Sequence, residues 1–174
     1  MTEADPSLSR ALNMAAECCV GLFADYGVEL YPAEGPVEAA NRTPLYVGII
    51  GFTGDGVRGT LVLGAAKGLF DQSSPAAFEG YERHWVAELT NQLLGRIKTQ
   101  FLARGVHIHL ALPVVLRVKH IAPVLRPMRE PLAFEAAGGG VYIWFELEFD
   151  AGYSLPSEPV AADAGLKAGA AVMF

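Results

Sequence analysis

The stretch YERHWVAELTNQLLGRIKTQFLAR, residues 81–104, carries the strongest helical pattern in the chain. Trp85, Leu89, Leu93, Ile97 and Phe101 recur at every fourth position and draw an apolar stripe that turns slowly about the helix axis. The stripe is core, and Gly105 supplies the stop. Glu88 and Asn91 stand three apart beside it, so both project from the same side of neighbouring turns.

Working outward towards the N-terminus, Ser73-Ser74-Pro75 breaks the chain before this helix, and Ala65 to Asp71 can make a short helix of its own. Leu45 to Phe52 and Gly59 to Leu63 are β-rich runs separated by Gly54-Asp55-Gly56, a hairpin signal. A connector rich in Pro, Ala and Glu occupies Pro32 to Pro44, preceded by a short apolar piece, Val28 to Tyr31. Before that, Leu8, Leu12, Ala15, Ala16, Cys19, Leu22 and Phe23 recur at helical spacing between Ser7 and Tyr26, with Gly27 just beyond.

Towards the C-terminus, Val106 to Leu112 alternates up to Pro113, and Val114 to Ile121 continues as a strand. Pro131 to Ala136 and Val141 to Phe149 flank three glycines as a second hairpin. The sum is an α+β domain over residues 1–150, a largely antiparallel β-sheet packed with two long α-helices. Residues 151–174, rich in Ala, Gly and Pro without periodicity, read as a tail.

Composition narrows the function classes. With 52% hydrophobic and 18% charged residues, the chain of 174 residues has ample material for one core. A net charge of −6 argues against nucleic acid or an anionic membrane surface as partner. No apolar run approaches the roughly 18 residues that span a bilayer, and the opening MTEADPSLSR is too acidic and polar for a cleavable signal. A cytoplasmic location is expected. Cys18 and Cys19, adjacent in the first helical stretch, read as buried thiols.

Spacing alone makes Glu-x-x-Asn a weak signal, since residue frequencies give on the order of half an occurrence by chance in a chain this long. The chain contains it twice. Glu38 and Asn41 lie in the Pro-flanked connector, where nothing holds two side chains on one rigid face. Glu88 and Asn91 sit in a different context: Glu88-Leu-Thr-Asn91-Gln-Leu-Leu-Gly95, further helix, Gly105, a strand and then Leu112-Pro113.

This arrangement resembles the CheC/CheX/FliY family of chemotaxis phosphatases, whose signature is a Glu-x-x-Asn on a long helix with a Pro some twenty-odd residues later. One credible site, rather than two, makes it CheX-like. The resemblance runs over roughly residues 7–149 and includes the Gly-rich hairpin Val47 to Gly54 with Gly59 to Leu63. Two features depart from the family: His84 stands where Asp or Ser is frequent, four residues before the motif Glu, and Gln72 to Phe78 is irregular.

The resemblance implies a CheC-like or CheX-like fold and hydrolysis of the aspartyl-phosphate of a CheY-like response regulator. That partner supplies Mg²⁺ and a lysine, so no cofactor or metal is expected on this chain. Asn91, able to donate and accept hydrogen bonds but no base, would orient the attacking water. Glu88 would pair with the partner's active-site lysine, a charge-assisted contact of roughly 1–3 kcal/mol. A homodimer paired through the sheets is also implied. The rival from another class is a non-catalytic binding module for response regulators, and the plain alternative is that Glu88 and Asn91 only solvate a helix.

Other signals are weaker. His107 and His109 share a strand face without a third metal ligand nearby, and Gly51, Gly54, Gly56 and Gly59 lack a Gly-Lys-Ser/Thr ending and read as a turn between strands. Lys98 and Arg104 complement the helix dipole. No Ser-His-Asp or Cys-His arrangement suggests a nucleophile, which leaves the phosphoryl group on the partner.

Overall fold

The computed structural model describes residues 5–33, 45–73, 80–118 and 130–160. In chain order these form α1 (Pro6–Asp25), β1 (Tyr31–Pro32), β2 (Leu45–Gly54), β3 (Val57–Ala66), α2 (Lys67–Ser73), α3 (Tyr81–Leu102), β4 (Ile108–Leu110), β5 (Val114–Val118), β6 (Leu132–Ala136) and β7 (Gly139–Phe149). The connector copy Glu38–Asn41 lies outside the described residues.

Both long helices end in the same way. Gly27 and Gly105 take left-handed φ values of 74° and 77°. In each case the glycine N–H returns to a carbonyl three residues back, and the following valine N–H returns five residues back: Val28 to Phe23 at 3.0 Å and Val106 to Phe101 at 2.9 Å. This is the Schellman termination, which satisfies otherwise orphaned carbonyls and turns a buried apolar residue onto the helix end. Arg104, past the end of α3, donates to the Gln100 carbonyl at 2.9 Å and so serves the helix terminus as its charge suggests. At the other end of α1, Asp5 accepts from the Ser7 N–H at 2.9 Å, with Pro6 opening the helix.

The sheet runs β1-β6-β7-β3-β2-β4, with β5 also on β2, and every pairing among the described strands is antiparallel. The central hairpin is longer than the sequence suggests. Strand pairing runs from Leu45↔Ala66 to Gly54↔Val57, so Ala65 and Ala66 continue β3 and the short helix starts at Lys67. Asp55 and Gly56 alone make the turn, with Gly56 at φ 73°.

Alternation along the strands divides the sheet's two faces. Tyr46, Ile50, Phe52, Leu61, Leu63, Val141, Ile143 and Phe145 join the core with α1 and α3. The expected stripe of α3 lies there, with Leu89, Leu93, Ile97 and Phe101 fully buried and Trp85 half-buried.

β4 and β5 are two segments on one side of β2. β4 pairs with Phe52–Gly54, and β5 pairs with Leu45–Ile49. Between them the Ala111 N–H still reaches the Gly51 carbonyl at 2.9 Å, after which the chain leaves the ladder at Leu112 and Pro113, the latter with no N–H to contribute. β4 thereby stops at Leu110, short of the Val106–Leu112 stretch read from alternation, while β5 follows the expected Val114–Ile121 as far as Val118, beyond which residues 119–121 lie outside the described set.

The expectation of a tail beginning at residue 151 meets a packed segment. Leu155 is buried, its N–H donates to Ser7 Oγ at 3.0 Å, and Arg10 donates to its carbonyl. Further on, the Val160 N–H reaches the Ala103 carbonyl at 2.8 Å. A single apolar residue anchored by hydrogen bonds leaves no periodic trace in a sequence rich in Pro, Gly and Ala. Residues 161–174 lie outside the described set.

Candidate functional site

The orientation of α3 is set from its buried side. Thr90 is fully buried and donates to the Val86 carbonyl at 2.6 Å. Its side chain lies directly over Gly48 of β2, so closely that a Cβ at Gly48 would sit 2.0 Å from Thr90 Oγ1. The glycine is what lets the helix approach the sheet at this point. With Leu89, Thr90 and Leu93 facing the sheet, the positions 84, 88 and 91 form the opposite, exposed face of α3.

There Glu88 and Asn91 meet the interrupted edge of the sheet. Arg83, His84, Ala87, Glu88, Asn91, Pro113 and Val115 line one shallow depression of about 410 Å³. Pro113, the residue at the break between β4 and β5, lines it from the side of the sheet. His84 shares the same wall as Glu88, one helical turn earlier.

Glu88 is held by a hydrogen bond. Gln92 Nε2 donates to Glu88 Oε1 at 2.7 Å, and Gln92 Oε1 in turn accepts from the Tyr26 hydroxyl at 2.9 Å. Neither Gln92 nor Tyr26 stood out in the sequence; the spacing of four between Glu88 and Gln92 was the available signal, whereas nothing in sequence ties Tyr26 to them. No hydrogen bond among the described residues occupies the Asn91 amide, which is left with both a donor and an acceptor to offer.

The start of α3 is pinned by a polar cluster. Lys67 contacts Asp71 at 3.0 Å and Glu82 at 3.2 Å, Tyr81 donates to Asp71, and Trp85 Nε1 donates to Ser73 Oγ at 3.0 Å. The Tyr81 hydroxyl, and then Lys67, hold the Asp71 carboxyl below its usual range. Burial, reinforced by Asp71, pushes the Tyr81 phenol up to about 12. The cluster ties α2 to α3 and fixes where the motif helix begins.

Other sequence candidates take ordinary places. His107 and His109 are exposed, and among the described residues no group of three or more His, Cys, Asp or Glu side chains is arranged to hold a metal ion. Cys19 is buried, which pushes its thiol pKa up, and Cys18 is half-buried with the same effect of burial. Among the described residues no helix is long and apolar enough to cross a membrane. A larger concavity of about 720 Å³ lies on the sheet face away from the helices, floored by Gly51, Thr53 and Thr60 and bordered by His109 and Glu146. Neither Glu88 nor Asn91 borders it.

The family model described as chemotaxis phosphatase CheX matches residues 46–126, just under half of the chain and the part that holds the hairpin, α3 and Pro113. No curated protein sequence matches the chain. Among solved structures, the chemotaxis protein CheX from Vibrio vulnificus superposes with a TM-score of 0.65 at 21% identity, covering 79% of this chain and 96% of that one. A CheC-like superfamily protein from Shewanella sp. PV-4 also gives 0.65, at 19% identity and coverages of 80% and 97%. The CheX–CheY–BeF₃–Mg²⁺ complex from Borrelia burgdorferi gives 0.55, at 14% identity and coverages of 82% and 97%. At these identities the structures speak for the fold, while the family model speaks for the segment around the site. Over that segment the chain is CheX-like, and its fold is the α+β fold of the CheX and CheC-like chemotaxis proteins.

Proposed function

We propose that this chain is a phosphatase for the aspartyl-phosphate of a CheY-like response regulator. The observation that carries the reading is the pair Glu88 and Asn91, exposed side by side on a rigid helix and facing Pro113 across one depression, within the segment that matches CheX. A CheX from Borrelia burgdorferi is known in complex with CheY, BeF₃ and Mg²⁺.

In the proposed reaction, water attacks the phosphorus in line, the bond from phosphorus to the aspartyl oxygen breaks, and inorganic phosphate leaves as the carboxylate is restored. Mg²⁺ on the receiver carries the developing charge there. This chain would bring Glu88 to the receiver's active-site lysine and Asn91 to the attacking water. A water fixed in line has little left to lose in orientation, the main service a helper protein can give. The protein would act in the cytoplasm, as a homodimer paired through its sheets.

His84 favours a second reading. Where the family often has Asp or Ser, an imidazole borders the depression, as expected of a module that binds receivers without hydrolysing the phosphoryl group. The two readings separate in one assay: decay of a phosphorylated CheY-like receiver with substoichiometric amounts of this protein. Acceleration by the wild type that disappears in Asn91→Ala supports the phosphatase; an unchanged or slowed decay with the wild type rules it out and leaves the binder.

A further inference from the structure

We propose that Gln92 and Tyr26 are positioning residues that hold the Glu88 carboxylate ready for its partner; this rests on the docking role given to Glu88 above. An exposed glutamate on a helix turns freely about three bonds, and immobilising it on binding costs affinity. Here it is already held. The contact from Gln92 is short, 2.7 Å, and charge-assisted. A pair at this spacing contributes only a few tenths of a kcal/mol when isolated on a helix. The third member changes that.

The Tyr26 hydroxyl donates to Gln92 Oε1 at 2.9 Å, which decides the direction of the amide. With its oxygen towards the phenol, the Gln92 N–H₂ faces the carboxylate; a flipped amide would set a carbonyl against a carboxylate, acceptor against acceptor. Tyr26 is in turn seated by an edge-on contact with Trp85, ring centroids 4.9 Å apart, at the terminus of α1 immediately before Gly27. The end of one long helix thereby orients the functional side chain of the other. Gln92 engages one oxygen of Glu88, and the carboxylate keeps lone pairs to offer a lysine ammonium.

The test uses the full chain and, as probe, a CheY-like receiver from the same organism activated with beryllofluoride and Mg²⁺. Gln92→Leu should weaken binding roughly threefold to tenfold, and Tyr26→Phe, which keeps the ring against Trp85, about twofold to threefold. Both changes should have no effect when Glu88→Ala is already present, and in the dephosphorylation assay both should raise KM and leave kcat. Unchanged affinity in both variants, or the same loss in the Glu88→Ala background, overturns the relay. Wild-type affinity in Glu88→Ala overturns the docking role and the relay together, whereas a loss in Glu88→Ala with silent Gln92→Leu and Tyr26→Phe overturns the relay alone. Absence of binding by the wild type sinks both. Melting curves of Tyr26→Phe and Gln92→Leu identify any loss that comes from unfolding.

Discussion

The two long helices are alike as building material and unlike in what they offer. α1 and α3 both feed the same core, both end on a Gly-Val Schellman turn, and they are joined at their solvent side by the Arg96–Asp25 ion pair. The outer face of α1 presents Ser9, Asn13, Glu17 and Val20, including an Asn and a Glu in reverse order. Of the two, α3 runs beside the interrupted edge of the sheet, and there Glu88 and Asn91 face a wall made by Pro113 and Val115. The helix supplies rigidity; the neighbouring break in the strand turns a polar face into one side of a depression, the candidate site.

Four measurements press on this comparison. The largest effect belongs to what the helices share: Phe101→Ala in α3 and Phe23→Ala in α1, both fully buried, should each cost about 3–5 kcal/mol in denaturant unfolding. A much smaller cost in either would show that the two helices do not contribute alike to the core.

Next comes what they do not share. On the proposed phosphatase reading, Asn91→Ala should reduce the acceleration of receiver dephosphorylation by about two orders of magnitude, the scale of losing one positioned hydrogen-bonding group at a reacting centre. Asn13→Ala, on the corresponding outer face of α1, should leave the rate unchanged. Stability should move by no more than about 0.5 kcal/mol in either variant. Equal effects on the rate would erase the distinction between the helices.

A third measurement addresses how α3 is seated. Gly48→Ala forces a Cβ to within 2.0 Å of Thr90 Oγ1 and should destabilise by about 1–3 kcal/mol. Adding Thr90→Ala should restore only part of that, because the new Cβ would still meet the Cβ of residue 90 at 2.9 Å.

The smallest effect concerns the anchor at the start of α3. Tyr81→Phe removes the hydrogen bond to Asp71 and should cost about 0.5–1.5 kcal/mol near neutral pH. Asp71 titrates below the usual carboxylate range in the folded chain, so its contribution is present above about pH 4 and fades as the pH falls through the lowered value. The cost of Tyr81→Phe should shrink with it. The Tyr81 phenol is raised to about 12, so its contribution is complete below about pH 10 and is lost as the pH climbs through 12. A cost that stays constant from pH 2 to pH 7 would remove Asp71 from the anchor.

Much of this was open to reading from residues alone wherever the information is local. A four-residue apolar repeat specifies the buried side of α3 whatever it packs on, Gly27 and Gly105 specify helix ends because only glycine takes that backbone region easily, and Asp55-Gly56 specifies a two-residue turn. For the same reason the polarity of Glu88 and Asn91 beside the stripe already set them on the solvent side. The chemistry proposed for them came less from spacing than from the family pattern in which the spacing sits.

Tertiary structure decided the rest, since the deciding contacts join residues far apart along the chain. That β4 and β5 share one side of β2, that Gly48 is bare so that Thr90 can lie on it, and that Leu155 returns to Ser7 follow from packing, to which local periodicity is blind. The hold of Tyr26 on Gln92 spans 66 residues and depends on how two helices lie against each other. Within the periodic elements, sequence by itself determined which apolar side chains would be buried, because hydrophobic burial follows the period of each element. Only the fold determined which exposed side chains would stand next to one another, because neighbourhood is a property of how the elements pack.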